Sequence, residues 1–223
     1  MMKSDKITIY MQCINWTCGE VTYFDIMLAK DAVVRVDWGD NHCDTVMKNA
    51  EEWQRMEHFY SEKAKHTCEK FVISIEAEGC GQIIGFRNWS IDMHTENIDL
   101  TQCPNLQHLT AEFMDNLNLT HLPQLKELYI KGCTMCEIDL SANTKLEKIE
   151  CPCSNFKVLN FSQCKNLKEV ECWCCFSLTN ICVSNDSNLK RIIMDRNTPI
   201  KETSMRYLRE VIERNEGEII LND

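Results

Sequence analysis

One phrase recurs from Leu106 onward and limits what this chain can fold into. Leu125-x-x-Leu128-x-Ile130-x-x-Cys133 is followed by Leu146-x-x-Ile149-x-Cys151-x-x-Ser154. Leu167-x-x-Val170-x-Cys172-x-x-Cys175 and Leu189-x-x-Ile192-x-Met194-x-x-Asn197 come next. The starts are spaced 21, 21 and 22 residues apart. An earlier copy opens at Leu106-x-x-Leu109-x-Ala111, 19 residues before Leu125. Units this short cannot bury an apolar side alone, so they must stack on one another.

The phrase resembles the leucine-rich repeat, whose signature is L-x-x-L-x-L-x-x-N/C. The resemblance covers about 130 residues, with five strand phrases, and implies a short solenoid built on a parallel β-sheet. Such a fold presents a long surface and needs no catalytic pocket. Ile98-x-Leu100-x-x-Cys103, Ile138-x-Leu140-x-x-Asn143 and Leu159-x-Phe161-x-x-Cys164 read as the returning, convex halves. Turns or a second short strand are expected there. Ile84-x-Phe86-x-x-Trp89-x-Ile91 reads as a degenerate first repeat. Beyond Pro199 the period stops. Met205, Leu208, Val211 and Ile212 then recur at helical spacing up to Asn215-Glu216-Gly217, and Ile219-Ile220-Leu221 follows. This predicts a capping helix at about 200–223 and a last strand.

Residues 1–79 do not repeat. Strands are expected at Lys6–Met11, Val21–Leu28, Ala32–Trp38 and Lys70–Ala77, and a short helix at Glu51–Glu57. Val36-Asp37-Trp38-Gly39-Asp40-Asn41, then His58-Phe59-Tyr60, then Phe71-Val72-Ile73-Ser74-Ile75 resemble the PKD-type immunoglobulin-like β-sandwich. Bacterial proteins pair this module with leucine-rich repeats. The expected fold class is thus mostly β: an N-terminal sandwich over 1–79 joined to a repeat domain over 80–223.

Composition narrows function. Net charge is −10 and the acidic excess is shared by both halves, which argues against a nucleic-acid partner. No stretch is long and apolar enough to suggest a membrane span. The first residues carry no apolar signal core, so a cytoplasmic location is expected, with the cell surface or secretion as the alternative if the chain is trimmed. Fifteen cysteines is an odd number and cannot all pair within one chain. Many of them fall where the repeat wants a small buried residue, so reduced thiols are expected. The motif set contains no H-E-x-x-H, P-loop or G-x-S-x-G phrase; no enzyme activity, cofactor or metal site is expected. Cys133, Cys136, Cys151, Cys153, Cys172, Cys174 and Cys175 crowd three rows, but the period itself sets their spacing. Cys153 and Cys174 sit at the same position in adjacent rows, within reach of a disulfide on oxidation.

The residues between the inward leucines should face outward on the concave side. They form three columns: His108, Glu127, Lys148, Glu169, Arg191; then Thr110, Tyr129, Glu150, Glu171, Ile193; then Glu112, Lys131, Pro152, Trp173, Asp195. The first alternates in sign and suggests cross-strand ion pairs. In the others, large aromatics stand beside a repelling acidic pair. Tyr129, Lys131, Glu150, Glu171 and Trp173 are therefore the candidate residues for binding a protein partner, the alternatives being a surface adhesin-like protein or a cysteine-dependent redox or metal-binding protein.

Overall fold

The computed structural model describes residues 4–13, 21–47, 52–61, 69–79, 81–89 and 93–223. It divides into two compact units, Met1–Thr110 and Ala111–Asp223.

The first unit carries strands β1 (Lys6–Cys13), β2 (Val21–Leu28), β3 (Val33–Asp37), β4 (Cys43–Met47), β5 (Trp53–Phe59), β6 (Lys70–Ala77), β7 (Ile83–Asn88) and β8 (Met93–Asp99). One antiparallel sheet runs β4-β3-β6-β1-β8. In a second, β2 lies antiparallel between β5 and β7. Alternation is strict where a face is covered: Ile7, Ile9 and Met11, then Val34 and Val36, then Phe71, Ile73 and Ile75 are buried. Phe24 of β2 meets Trp38, at the end of β3, with ring centroids 5.4 Å apart.

The Trp-Gly-Asp turn is held by its own side chains. Gly39 adopts φ +82°, and a Cβ there would lie 2.8 Å from the Val72 carbonyl. Asp37 accepts from the Gly39 N–H at 2.9 Å and Asp40 from the His42 N–H at 3.1 Å. Buried Tyr60 donates its hydroxyl to the Trp38 carbonyl at 2.7 Å, and His58 bonds Asp40 at 2.7 Å. Both aspartates therefore serve the backbone of the turn.

Two expectations, the helix at Glu51–Glu57 and the boundary at 79/80, differ from what this unit shows. The helix expected at Glu51–Glu57 is a strand over Trp53–Phe59, with Glu51 outside the described residues. Pairing with β2 from Val21↔Phe59 to Met27↔Trp53 overrides the helix propensity of Gln54, Arg55 and Met56. Ile84-x-Phe86 belongs to β7, which pairs antiparallel with β2, and the Ile84 carbonyl accepts the Gln107 N–H at 2.8 Å; Ile91 lies outside the described residues. Residues past the expected boundary at 79/80 are built into this unit. The Asp5 carboxylate, fully buried, accepts the N–H groups of Gly81 and Ile83 at 2.7 and 2.8 Å. β8 also pairs with β1.

Strand β9 (His108–Glu112) spans the division. The second unit continues with β10 (Glu127–Lys131), β11 (Lys148–Glu150), β12 (Val158–Phe161), β13 (Glu169–Cys172), β14 (Asn180–Val183), β15 (Arg191–Asp195), helix α1 (Glu202–Arg214) and β16 (Glu218–Asn222). It is a β-solenoid. β10, β11, β13, β15 and β16 pair in parallel, each with the next. Leu128, Ile149, Val170 and Ile192 fall in one register row and are buried; Ile130, Cys151, Cys172 and Met194 form the next buried row. On the returning side β12 and β14 form a second short parallel sheet.

Each rung turns the same way before its strand. Asn143 N–H bonds the Leu140 carbonyl and Leu146 N–H bonds Asn143; Cys164 and Leu167 repeat this with Phe161 and Cys164. The corner side chain then ties one rung to the previous one. Asn143 donates to the carbonyls of Leu119 and Leu122 at 3.0 and 2.9 Å, and the Cys164 thiol points at the Leu140 carbonyl. Burial lifts the Cys164 thiol to a pKa of about 11, so it stays protonated there. A second device went unread in the sequence. Asp99-Leu-Thr, Asn118-Leu-Thr, Asp139-Leu-Ser and Asn160-Phe-Ser each fold the Asp or Asn oxygen onto the backbone N–H two residues on.

The end of the stack follows expectation. Ser204, Leu208, Val211 and Ile212 form the buried face of α1, which packs on β14 and β16. Asn215 donates to the Ser187 and Leu189 carbonyls, both at 2.8 Å. Gly217 passes so close to Lys190 that a Cβ would lie 1.9 Å from its carbonyl oxygen.

Candidate functional site: the outward face of the repeat sheet

Parallel strands in register turn sequence columns into physical columns. Glu127↔Lys148↔Glu169↔Arg191↔Glu218 stand directly opposite one another. Their signs alternate and they pair: Lys148 lies 3.8 Å from Glu169, Arg191 bonds Glu169, and Arg191 lies 3.3 Å from Glu218. The first column is thus a ladder of ion pairs along the sheet.

The second column aligns Tyr129↔Glu150↔Glu171↔Ile193↔Ile220. Two carboxylates on neighbouring strands repel, and a single cation answers them. Lys148 reaches Glu150 at 2.9 Å and Glu171 at 3.4 Å, while also serving Glu169. Its own pKa is raised, first by the bond to Glu150. With Arg191 answering Glu169, one lysine is left for Glu150 and Glu171, and the pair keeps a negative excess. Glu171 reflects it: desolvation and then Glu150 push its pKa up against the pull of Lys148. Tyr129 is half-buried and its pKa is raised by desolvation, then by Glu112 and Glu150.

Lys131 and Trp173 belong to the third column, two rungs apart with Pro152 between them. At about 4.8 Å per rung their backbones are roughly 10 Å apart. Trp173 is partly exposed, and its carbonyl accepts the Cys153 N–H at 2.9 Å. Lys131 sits 6.0 Å above the ring of Phe113 and lowers the pKa of Glu112 against a larger upward push from desolvation. Two expected outward positions are closed: Thr110 and Pro152 are buried. Pro152 has no N–H to give a neighbour, and β11 accordingly ends at Glu150.

A fourth column was not legible as one. Phe113, Gly132, Cys153 and Cys174 follow their strands at equivalent positions and all adopt a left-handed backbone, with φ of 55°, 65°, 55° and 56°. A Cβ on Gly132 would meet the Phe113 ring at 2.6 Å, so the absence of a side chain there lets the ring lie across the next rung. Phe113 remains 53% exposed, which makes it a further aromatic beside Lys131. The signal available in the sequence was its place two residues beyond Ala111, matching Cys153 beyond Cys151.

The sulfur atoms segregate by position. Cys103, Cys133, Cys151, Cys164, Cys172 and Cys175 are buried; Cys43, Cys136 and Cys153 are exposed. Cys175 donates to the Cys151 carbonyl at 3.0 Å, while Ser154 holds the corresponding corner one rung earlier with weaker contacts to Pro152 and Ile130. Burial raises the Cys172 thiol well above its ordinary value. Among the described residues, no group of three or more His, Cys, Asp or Glu side chains is arranged to hold a metal ion. No helix among them is long and apolar enough to cross a membrane.

No protein-family model matches the chain. No curated protein matches it either. Among solved structures, the chain is similar to the functional domain of InlJ from Listeria monocytogenes, which includes a cysteine ladder. The sequences are 16% identical over the match, which covers 47% of this chain and 26% of that one, with a TM-score of 0.41. A likeness this distant adds nothing to the geometry above.

Proposed function

We propose that this protein is a non-enzymatic interaction module that binds a protein partner through the outward, concave face of its repeat sheet. The repeats are read as leucine-rich, and the N-terminal unit as a PKD-like immunoglobulin-type sandwich of the kind found in bacterial proteins. The observation that carries the reading is the register Tyr129↔Glu150↔Glu171, with Trp173 one column away. It gathers aromatic area and under-neutralised carboxylate on one sheet face. Interface hot spots concentrate in such aromatics. The acidic excess around Lys148 suits a partner that brings Lys or Arg, and no nucleic acid. Tyr129, Lys131, Glu150, Glu171 and Trp173 are the proposed contact residues, joined by Phe113. No cofactor enters this function. The six buried thiols among the described residues support a reducing, cytoplasmic setting.

The test is affinity capture from the source cell followed by titration of the captured partner. Trp173→Ala and Tyr129→Ala should each weaken binding by more than about 1 kcal/mol, or more than about fivefold. Lys157→Ala, whose side chain is exposed beside the returning strand β12, should leave binding unchanged. Loss of binding in Lys157→Ala with none in Trp173→Ala would remove the outward face from the account.

A further inference from the structure

We infer that Cys153 and Cys174 form a built-in oxidation site: a thiol pair that closes to a disulfide when the folded chain meets a small-molecule disulfide such as oxidised glutathione. Three independent features place the two sulfurs together. The residues occupy the same position in consecutive rungs, after β11 and β13, which pair in register. Each has the same left-handed backbone, φ 55° and 56°, so their Cα–Cβ bonds leave the chain in parallel directions. The Cys153 N–H bonds the Trp173 carbonyl at 2.9 Å, which fixes the two turns one strand spacing apart. That spacing, about 4.8 Å, falls inside the Cα–Cα range of roughly 4.4–6.8 Å that a disulfide spans without moving the backbone. The two thiols influence each other: desolvation and then the charge of Cys153 raise the Cys174 pKa.

The pair is also isolated, which makes it specific. The equivalent position one rung earlier is Gly132, and one rung later it is Arg196. Neither offers a competing sulfur. The neighbouring Cys175 is buried, with its thiol committed to the Cys151 carbonyl. Cys153 is exposed and Cys174 partly so, so an oxidant reaches them while the six buried thiols stay out of reach.

The chemistry is two thiol–disulfide exchanges. The Cys153 thiolate attacks one sulfur of oxidised glutathione, forming a mixed disulfide and releasing one glutathione thiolate. The Cys174 thiolate then attacks the Cys153 sulfur, forming the Cys153–Cys174 bond and releasing the second glutathione. Two protein thiols are oxidised and one disulfide is reduced to two thiols; the two protons pass to solvent or to the departing thiolates. The product ties the two turns that flank Trp173.

Incubating the full native chain in glutathione redox buffers, blocking the remaining thiols and mapping the digested peptides tests this. The expected result is a cross-link between the peptide carrying Cys153 and the peptide carrying Cys174, with exposed Cys136 and Cys43 bearing glutathione instead. The cross-linked fraction should follow the ratio of oxidised glutathione to the square of the reduced form. Cys153→Ser and Cys174→Ser should each abolish the cross-link and leave the remaining cysteine glutathionylated. Glutathione on both Cys153 and Cys174 of the native chain without a cross-link would overturn the inference. So would a cross-link that survives Cys153→Ser, because the bond would then join Cys174 to another sulfur.

Discussion

The two units solve the same problem, covering β-sheet edges and faces, by opposite means. In the N-terminal unit the contacts that join its strands and turns are particular. Lys6 pairs with Glu76, Asp5 caps Gly81 and Ile83, and Trp38 depends on Asp44 and Tyr60. In the repeat unit a handful of roles recur: inward Leu or Ile, a corner Asn or Cys, an Asp/Asn turn, a left-handed residue. Particular contacts across long sequence separations constrain each residue tightly and leave little surface free. Recurrent nearest-neighbour contacts confine the structural duty to inward and corner positions. The outward columns are then free to carry another task.

That contrast is open to attack by substitution. The largest effect should come from Ile149→Asp, which puts a carboxylate into a fully buried row between Leu128 and Val170. A loss of about 4 kcal/mol or more is expected, enough to remove the cooperative melting of the repeat unit by calorimetry. If the variant melted like the parent, the register would be wrong.

Asp5→Ala comes next and probes the other unit. It strips the buried Ile83 N–H and the part-buried Gly81 N–H of their acceptor, at a cost of roughly 2–3 kcal/mol in urea-unfolding free energy. An unchanged urea midpoint would show that this buried carboxylate is no more than packing.

Lys148→Met should cost less, about 1 kcal/mol near neutral pH, because all four charged groups are partly exposed. The pH dependence gives its signature. Lys148 has a raised folded pKa, so its stabilisation is fully present below 10.5 and is lost as pH rises through the higher folded value. Glu171 is also raised, so its charged form opposes folding, and that penalty is relieved as pH falls through its folded value. The parent–variant difference should therefore be widest near neutrality and shrink on either side. A difference that is flat with pH would mean the lysine acts by packing alone.

How much was legible divides along the same line. Periodicity reports a role that is used many times, so the buried rows, the outward columns, the helix at Leu208–Ile212 and the last strand at Ile219–Leu221 were readable from spacing. Trp53–Phe59 was not, because its strand exists only through pairing with Val21–Met27. The same holds for residues beyond 79: nothing local in Asp5 announces that its carboxylate binds Gly81 and Ile83. Within the face, the opposition of Glu150 and Glu171 followed from the period. The answer to it did not, since Lys148 belongs to the neighbouring column and its reach across both depends on side-chain conformation. Phe113 escaped notice because its exposure depends on a left-handed backbone and on a glycine in the next rung.

The smallest stability effects belong to the outward aromatics. Tyr129→Ala and Trp173→Ala should each shift unfolding free energy by less than about 1 kcal/mol, since neither side chain fills the inward rows. That separation of stability from binding is the central claim. Site-specific photo-crosslinking in the source cell addresses it most directly, with benzoylphenylalanine placed singly at Tyr129, Trp173 and Lys157. The account predicts one and the same crosslinked protein at Tyr129 and Trp173, and none at Lys157. A crosslink at Lys157 with nothing at the two aromatic positions would contradict it.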